Sequence, residues 1–162
     1  MSVGFDFLTT QCHQMSENIT DYKFRAPVPI RFSDLDFYGH VNNAVYLTYF
    51  EIARSHYWKD VVKWDWNHNG IILARSEVNY LKPVTRDDEI ACYVRTTRIG
   101  NSSFDVMHVL VKITPEGEEI CTTGKTVCIS YDYSIHKPVK IPAEQRARMI
   151  AYDEPGMILN TN

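Results

Sequence analysis

The chain has 162 residues, 44% hydrophobic and 23% charged, an ordinary balance for a folded protein long enough to bury a core. A formal net charge of -3 gives no overall pull toward nucleic acid or anionic membranes, and no apolar run approaches the roughly 20 residues that span a bilayer. The opening MSVGFDFLTT has neither a basic head nor a long apolar stretch, so it is not read as a secretory signal and the cytoplasm is the expected compartment.

Residues from Phe5 to about Asn18 permit a short helix of poor pattern. From Phe24 to Phe32 the apolar residues Phe24, Ala26, Val28, Ile30 and Phe32 alternate on one face, a strand signal. Pro27 and Pro29 fall on the other face, which suits an edge strand. Next comes DLDFYGHVNNAVY, residues 34–46, with two carboxylates, a glycine, a histidine and an Asn pair ahead of an apolar run. Asn42 or Asn43 is a good N-cap for the helix that follows. In that helix Tyr46, Phe50, Ala53 and Tyr57 repeat at helical spacing, and Val45, Leu47, Tyr49 and Ile52 widen the apolar surface past one stripe. A helix so apolar is expected to be wrapped by other structure.

After a Trp-rich connection the period returns to two. GIILARSEVNYLKP, DEIACYVRTTRI, SSFDVMHVLVKIT and EICTTGKTVCISYDY read as a meander of four long strands. Turn signals at Gly100-Asn101 and in PEGE make the last three of them neighbours. PAEQRARMIAYD reads as a C-terminal helix. The fold class is therefore α+β, a curved antiparallel sheet of about five strands wrapped around one long central helix. A single domain over residues 1–162 is expected, with its core at about 24–135 and helical segments flanking it. The aromatic share of 12%, with 10 Tyr, tilts the expectation toward a sheet-rich oligomer. None of the four cysteines, Cys12, Cys92, Cys121 and Cys128, falls in CxxC spacing, so reduced and mostly buried thiols are expected.

The element order and the run from Asp34 to Tyr46 resemble the hotdog-fold acyl-CoA thioesterases of the 4-hydroxybenzoyl-CoA thioesterase type. Asp34, Asp36, Gly39, His40, Val41, Asn42, Asn43 and Tyr46 match that family's ordered motif, and VNYLKPVTRDDEI resembles its next strand boundary, with Asp87 where glycine is common. The motif is also related to that of acyl-carrier-protein thioesterases, although Tyr38 stands where their proposed catalytic set has Asn. The resemblance implies a hydrolase that cleaves an acyl-CoA or acyl-carrier-protein thioester to free acid and thiol, without cofactor. It implies Asp36 as nucleophile or general base, and a homodimer or homotetramer with its sites at the dimer interface.

A carboxylate at a helix entrance suits that chemistry, because the free amides of the first turn can receive a developing oxyanion. His40 and Asn43 are the supporting catalytic candidates, His40 orienting substrate or Asp36 and Asn43 contributing to the oxyanion site. Asp34 is read as structural, and Glu51, on the polar line of the helix, as a reserve carboxylate. For substrate binding, Tyr46 suits the acyl group, Arg75 and Arg98 the CoA phosphates, and Ser102 the pantetheine or nucleotide. An EF-hand begun at Asp34 fails at Tyr38 and Val45, and the six histidines hold no metal-ligand spacing, so no metal is expected. The rival functions are a non-catalytic acyl-CoA-binding hotdog protein and a hotdog enoyl-CoA hydratase or dehydratase.

Overall fold

Residue period decides which segments join the sheet. The computed structural model describes residues 18–154 and 157–159; most of the expected N-terminal helix, and Cys12, lie outside them. Strand β1 (Phe24–Val28) buries Ala26 and Val28 and turns Pro27 outward. The alternation stops there: Phe32 opens a short 3-10 turn (Phe32–Asp34) and is 80% exposed, so it does not share the inner face as its spacing suggested. Helix α1 (Val45–Tyr57) runs into a π-helical turn, Trp58–Val62, which Lys63 closes in a left-handed conformation.

Four long strands follow, β2 (Gly70–Tyr80), β3 (Ile90–Ile99), β4 (Ser103–Thr114) and β5 (Gly117–Asp132). A two-residue strand β6 (Lys137–Pro138) lies on β5, helix α2 spans Ala143–Asp153, and a two-residue β7 (Ile158–Leu159) pairs parallel with β3. The sheet order is β1-β3-β4-β5-β2, and every pairing along that path is antiparallel. Strands β3, β4 and β5 form the expected meander. Strand β2 does not continue it: it pairs with β5 from Gly70↔Tyr131 to Tyr80↔Thr122 and forms the free edge of the path. The connection after β2 is fastened to the polar loop before α1, where the Val41 amide donates to the Val84 carbonyl at 2.8 Å and His40 bridges Thr85.

Helix α1 is held by packing, not propensity. Tyr46, Tyr49, Phe50 and Tyr57 are poor-to-middling helix formers by tenths of a kcal/mol, whereas burying each large apolar side chain contributes about 1.5–3 kcal/mol. They pack onto the inner sheet face with Ala26, Cys92, Val94, Val106, Leu110 and Cys128. At Gly124 the helix packs tightly on the sheet, since a Cβ there would sit 2.2 Å from the Phe50 ring. The Phe50 ring stacks on buried His108 at 4.7 Å. Burial and the neighbouring Arg54 charge push the His108 imidazole down to about 3, so it is neutral.

Helix α2 is fastened to this core by Asp153. Its carboxylate accepts from the Tyr57 hydroxyl at 2.5 Å and from the Thr96 amide at 2.9 Å. Cys92, Cys121 and Cys128 are free and buried; burial pushes Cys121 up to about 11 and Cys128 up to about 12. Among the described residues no helix is long and apolar enough to cross a membrane.

Candidate active site

The loop ahead of α1 is built on two carboxylates with opposite environments. Asp34 is buried, 2% exposed. Its carboxylate accepts from the Arg31 amide at 2.9 Å, from Arg31 Nε at 3.1 Å and from the Tyr49 hydroxyl at 2.9 Å. Burial alone would raise its pKa, but the Arg31 amide and guanidinium and the Tyr49 hydroxyl outweigh it and hold the carboxyl below its ordinary value. The Asp34 carbonyl accepts from the Asn42 amide at 2.9 Å, and Leu35 bridges Val41, so the two ends of the loop are clamped together.

Asp36 stands at the tip of that clamp and is exposed. Its Oδ1 accepts from the Tyr38 amide at 2.8 Å and from the His40 amide at 3.1 Å, while its own amide donates to the His40 carbonyl at 2.7 Å. Gly39 makes this turn possible with φ +79, the left-handed region where a side chain is strained. Among the described residues Oδ2 makes no hydrogen bond. The two amide bonds to Oδ1 thus fix the orientation of the carboxylate.

The helix start lies one residue later than an Asn43 cap and two later than an Asn42 cap would place it. Ala44 is the N-cap residue and is already helical in conformation. Asn42 does the capping from outside: its Oδ1 accepts from the Ala44 amide at 3.0 Å and its carbonyl from the Val45 amide at 2.9 Å. Asn43 is exposed, and its carbonyl receives the Tyr80 hydroxyl at 2.8 Å. His40 is exposed with its side chain unbonded among the described residues. Asp36, His40 and Asn43 are therefore together on one loop at the amino end of α1.

Tyr46 lies one helical turn inward, buried, with its ring 5.1 Å from the Tyr80 ring. Its pKa is raised by burial, and its hydroxyl meets the Val84 backbone. Glu51 is exposed on the outer line of α1. Arg75 and Arg98 project from the sheet face away from α1. Arg75 Nε pairs with Glu77 at 3.0 Å, and Arg98 with Asp105 at 2.7 Å, an aspartate that also holds Lys125 at 2.8 Å. Ser102 is at the opposite end of the strands, where its carbonyl accepts from the Ser130 amide at 2.8 Å. Within one chain these three are not brought to Asp36. Tyr80, opposite Thr122 on β5, is a site neighbour that the sequence reading does not single out.

The motif, its clamp and the wrapped helix can now be compared with known proteins. A model of the thioesterase-like superfamily matches residues 30–149. The chain belongs to that superfamily. The YsmA protein of Bacillus subtilis (strain 168) is 30% identical over 132 residues, 81% of this chain and 88% of that one. The long-chain acyl-CoA thioesterase FadM of Escherichia coli (strain K12) is 27% identical over 129 residues, 75% of this chain and 93% of that one. The crystal structure of a thioesterase from Thermus thermophilus, complexed with coenzyme A and Zn, superimposes with a TM-score of 0.73 at 35% identity, covering 83% of this chain and 98% of that one. Membership accounts for the hotdog architecture, a half-barrel of antiparallel strands closed over α1, and supports thioesterase activity. Among the described residues no group of three metal-ligating side chains is gathered.

Proposed function

We propose that the chain hydrolyses acyl-CoA thioesters to a free carboxylic acid and coenzyme A, with Asp36 as nucleophile or general base. The observation that carries this is the Asp36 carboxylate, held through Oδ1 by two backbone amides and unpartnered at Oδ2, at the amino end of a buried helix. Oδ2 either attacks the thioester carbonyl or takes a proton from an attacking water. Negative charge then develops on the carbonyl oxygen, and the first-turn amides of α1 that Asn42 does not use are the donors that stabilise it. Collapse expels the thiolate, whose conjugate thiol has an ordinary pKa near 8.5, so a strong general acid is not required. On the nucleophilic route this leaves an acyl–Asp36 anhydride, which water then hydrolyses to the free acid and the regenerated carboxylate. Asn43 and His40 flank this point, and substrate orientation is the role assigned to His40. The coenzyme A bound to the Thermus thioesterase and the acyl-CoA activity named for FadM favour CoA over a carrier protein as the thiol.

We also propose a homodimer. Strand β2 leaves one edge unpaired among the described residues, and Phe37 and Tyr38 beside Asp36 are 97% and 81% exposed. Pairing β2 antiparallel with its own copy brings the Gly70 end of one subunit alongside the Tyr80 end of the other. That carries the partner's strand ends, and with them its copies of Arg98 and Ser102, toward the Asp36 loop.

Thiol release from a panel of acyl-CoAs tests the activity. Asp36→Ala and Asp36→Asn should each lower kcat by roughly a hundredfold or more with the circular dichroism unchanged. Binding without release identifies a non-catalytic acyl-CoA-binding protein, and hydration of an enoyl-CoA without thiol release identifies a hydratase.

A further inference from the structure

Arg54 is buried in α1, 4% exposed, with no carboxylate within 4 Å among the described residues. Its Nη1 reaches Thr126 Oγ1 at 3.5 Å, the limit of a hydrogen bond, and its Nε has no hydrogen-bond partner among the described residues. Glu51, a carboxylate that acts on it at longer range, is exposed. The guanidinium lies 5.0 Å over the Trp58 ring, a cation–π contact. Such a contact offsets only part of the cost of taking the charge out of water. Of its other neighbours, His108 is neutral and Cys92 and Cys128 are buried thiols. The position asks for an anion.

The sheet shows where one would enter. Successive turns of α1 face successive rungs of the β5–β2 pair: Tyr46 against Tyr80, Phe50 against Gly124 and Arg54 against Thr126. On β2, Tyr80 is opposite Thr122, Val78 opposite Gly124 and Ser76 opposite Thr126. Directly opposed residues share a face, so all three point toward α1. The β5 members of these rungs are buried, whereas Tyr80 and Ser76 are exposed and Val78 is half-buried. An open strip thus runs along β2, from Tyr80, bonded to Asn43 beside the Asp36 loop, to Ser76, across from the residue that Arg54 touches. It measures about 12 Å along the helix and about 13 Å along the strand. An acyl chain on the order of eight to ten carbons covers that span.

We propose that Arg54 is a specificity-determining residue that receives a carboxylate at the far end of the acyl chain, making the mono-CoA thioester of a medium-chain dicarboxylic acid the preferred substrate class. This rests on the thioesterase activity proposed above. Water is added across the C–S bond, releasing the dicarboxylic acid and the CoA thiol, while the distal carboxylate supplies the counter-charge that no described residue brings within 4 Å of Arg54. A guanidinium binds a carboxylate through two parallel hydrogen bonds, which lysine does not reproduce.

The test measures thiol release for acyl-CoAs from acetyl to dodecanoyl and for dicarboxylic mono-CoA thioesters of the same lengths. The readout is the ratio of kcat/KM between the two at each length, which cancels any general loss of activity in a variant. In the wild-type protein the ratio should rise to roughly tenfold or more at medium length and stay near one for short chains that do not reach Arg54. Arg54→Met should bring it to about one or below. Ser76→Asp, at an exposed position, should depress it by repulsion and decides the matter should Arg54→Met not fold. A wild-type ratio near one at every length, or a medium-length preference that survives in the folded variants, overturns the proposal. Cleavage of monocarboxylic acyl-CoAs without preference removes this inference alone, whereas no cleavage of any thioester removes the thioesterase reading and this one with it.

Discussion

The Tyr49 hydroxyl donates to the Asp34 carboxylate across 2.9 Å, tying the buried face of α1 to the loop that presents Asp36. Both groups are buried, so neither finds water when the other is lost. Tyr49→Phe should therefore cost about 1–3 kcal/mol of stability by leaving a carboxylate underbonded. Because that carboxylate also clamps the loop, kcat for thiol release should fall while KM changes little. Asp34 is held below its ordinary pKa in the fold, so the stability it contributes is present above the unfolded carboxylate value, about 4, and is lost as pH falls through its lowered folded value. Urea melts across the acid range should show this loss in the wild-type protein and not in Asp34→Asn.

Asp153 has the opposite sign. Burial raises its carboxyl above the ordinary value, although the Tyr57 hydroxyl and the Thr96 amide pull it back in part. The folded chain then holds a proton that the unfolded chain has released. Stability falls as pH rises from about 4 to the raised folded value, and the loss is complete above it. Asp153→Asn keeps an oxygen to accept from Tyr57 and Thr96 but has nothing to ionise. The difference in melting temperature between this variant and the wild type should grow in the variant's favour across that interval and then level off.

Gly39 is the hinge of the Asp36 turn. A side chain at φ +79 meets no atom within 4 Å, so Gly39→Ala is a backbone perturbation and not a clash. The expected cost is about 1 kcal/mol in stability. The larger effect is on activity, because the strain falls between the two amides that fix Asp36. Gly39→Asn, which tolerates the left-handed region, should recover more activity than Gly39→Ala.

Gly124→Ala tests the close packing of Phe50 on the sheet. Its Cβ would come 2.2 Å from the Phe50 ring and 3.0 Å from the Glu77 carbonyl, so α1 must shift or the ring must turn. A loss of about 1–3 kcal/mol is expected. Phe50→Leu, destabilising alone, should be less so in the Gly124→Ala background. A double-mutant cycle on denaturation midpoints measures that coupling.

Much of the architecture is legible in residue order. The period of two in the four long strands, the period of 3.6 through Tyr46, Phe50, Ala53 and Tyr57, and the turns at Gly100 and Gly117 are local signals, and the structure follows them. The place of β2 is not local. Its pairing with β5 depends on a connection that crosses the end of the sheet and is anchored at Val41 and His40, and nothing within β2 encodes that partner. The loop shows the same division. Asp36, His40 and Asn43 are brought together as their spacing implies, because residues on one short loop cannot be far apart. Arg75, Arg98 and Ser102 are candidates by chemistry alone, and strand parity sends the two arginines to the opposite face. By spacing, Arg54 reads as an ordinary ion-pair partner of Glu51, because sequence does not report that its side chain is enclosed while that of Glu51 is in solvent.

The burial of Cys92, Cys121 and Cys128 has a practical outcome at the bench. Their thiols are kept protonated and out of reach, so in the native state they should react very slowly with a chromogenic disulfide reagent. The same reagent follows the release of coenzyme A, and the folded protein should contribute far less colour than the four equivalents that denaturation frees. Three of the chain's own thiols are thus spectators to an assay that counts thiols, and slow turnover can be read against a quiet baseline.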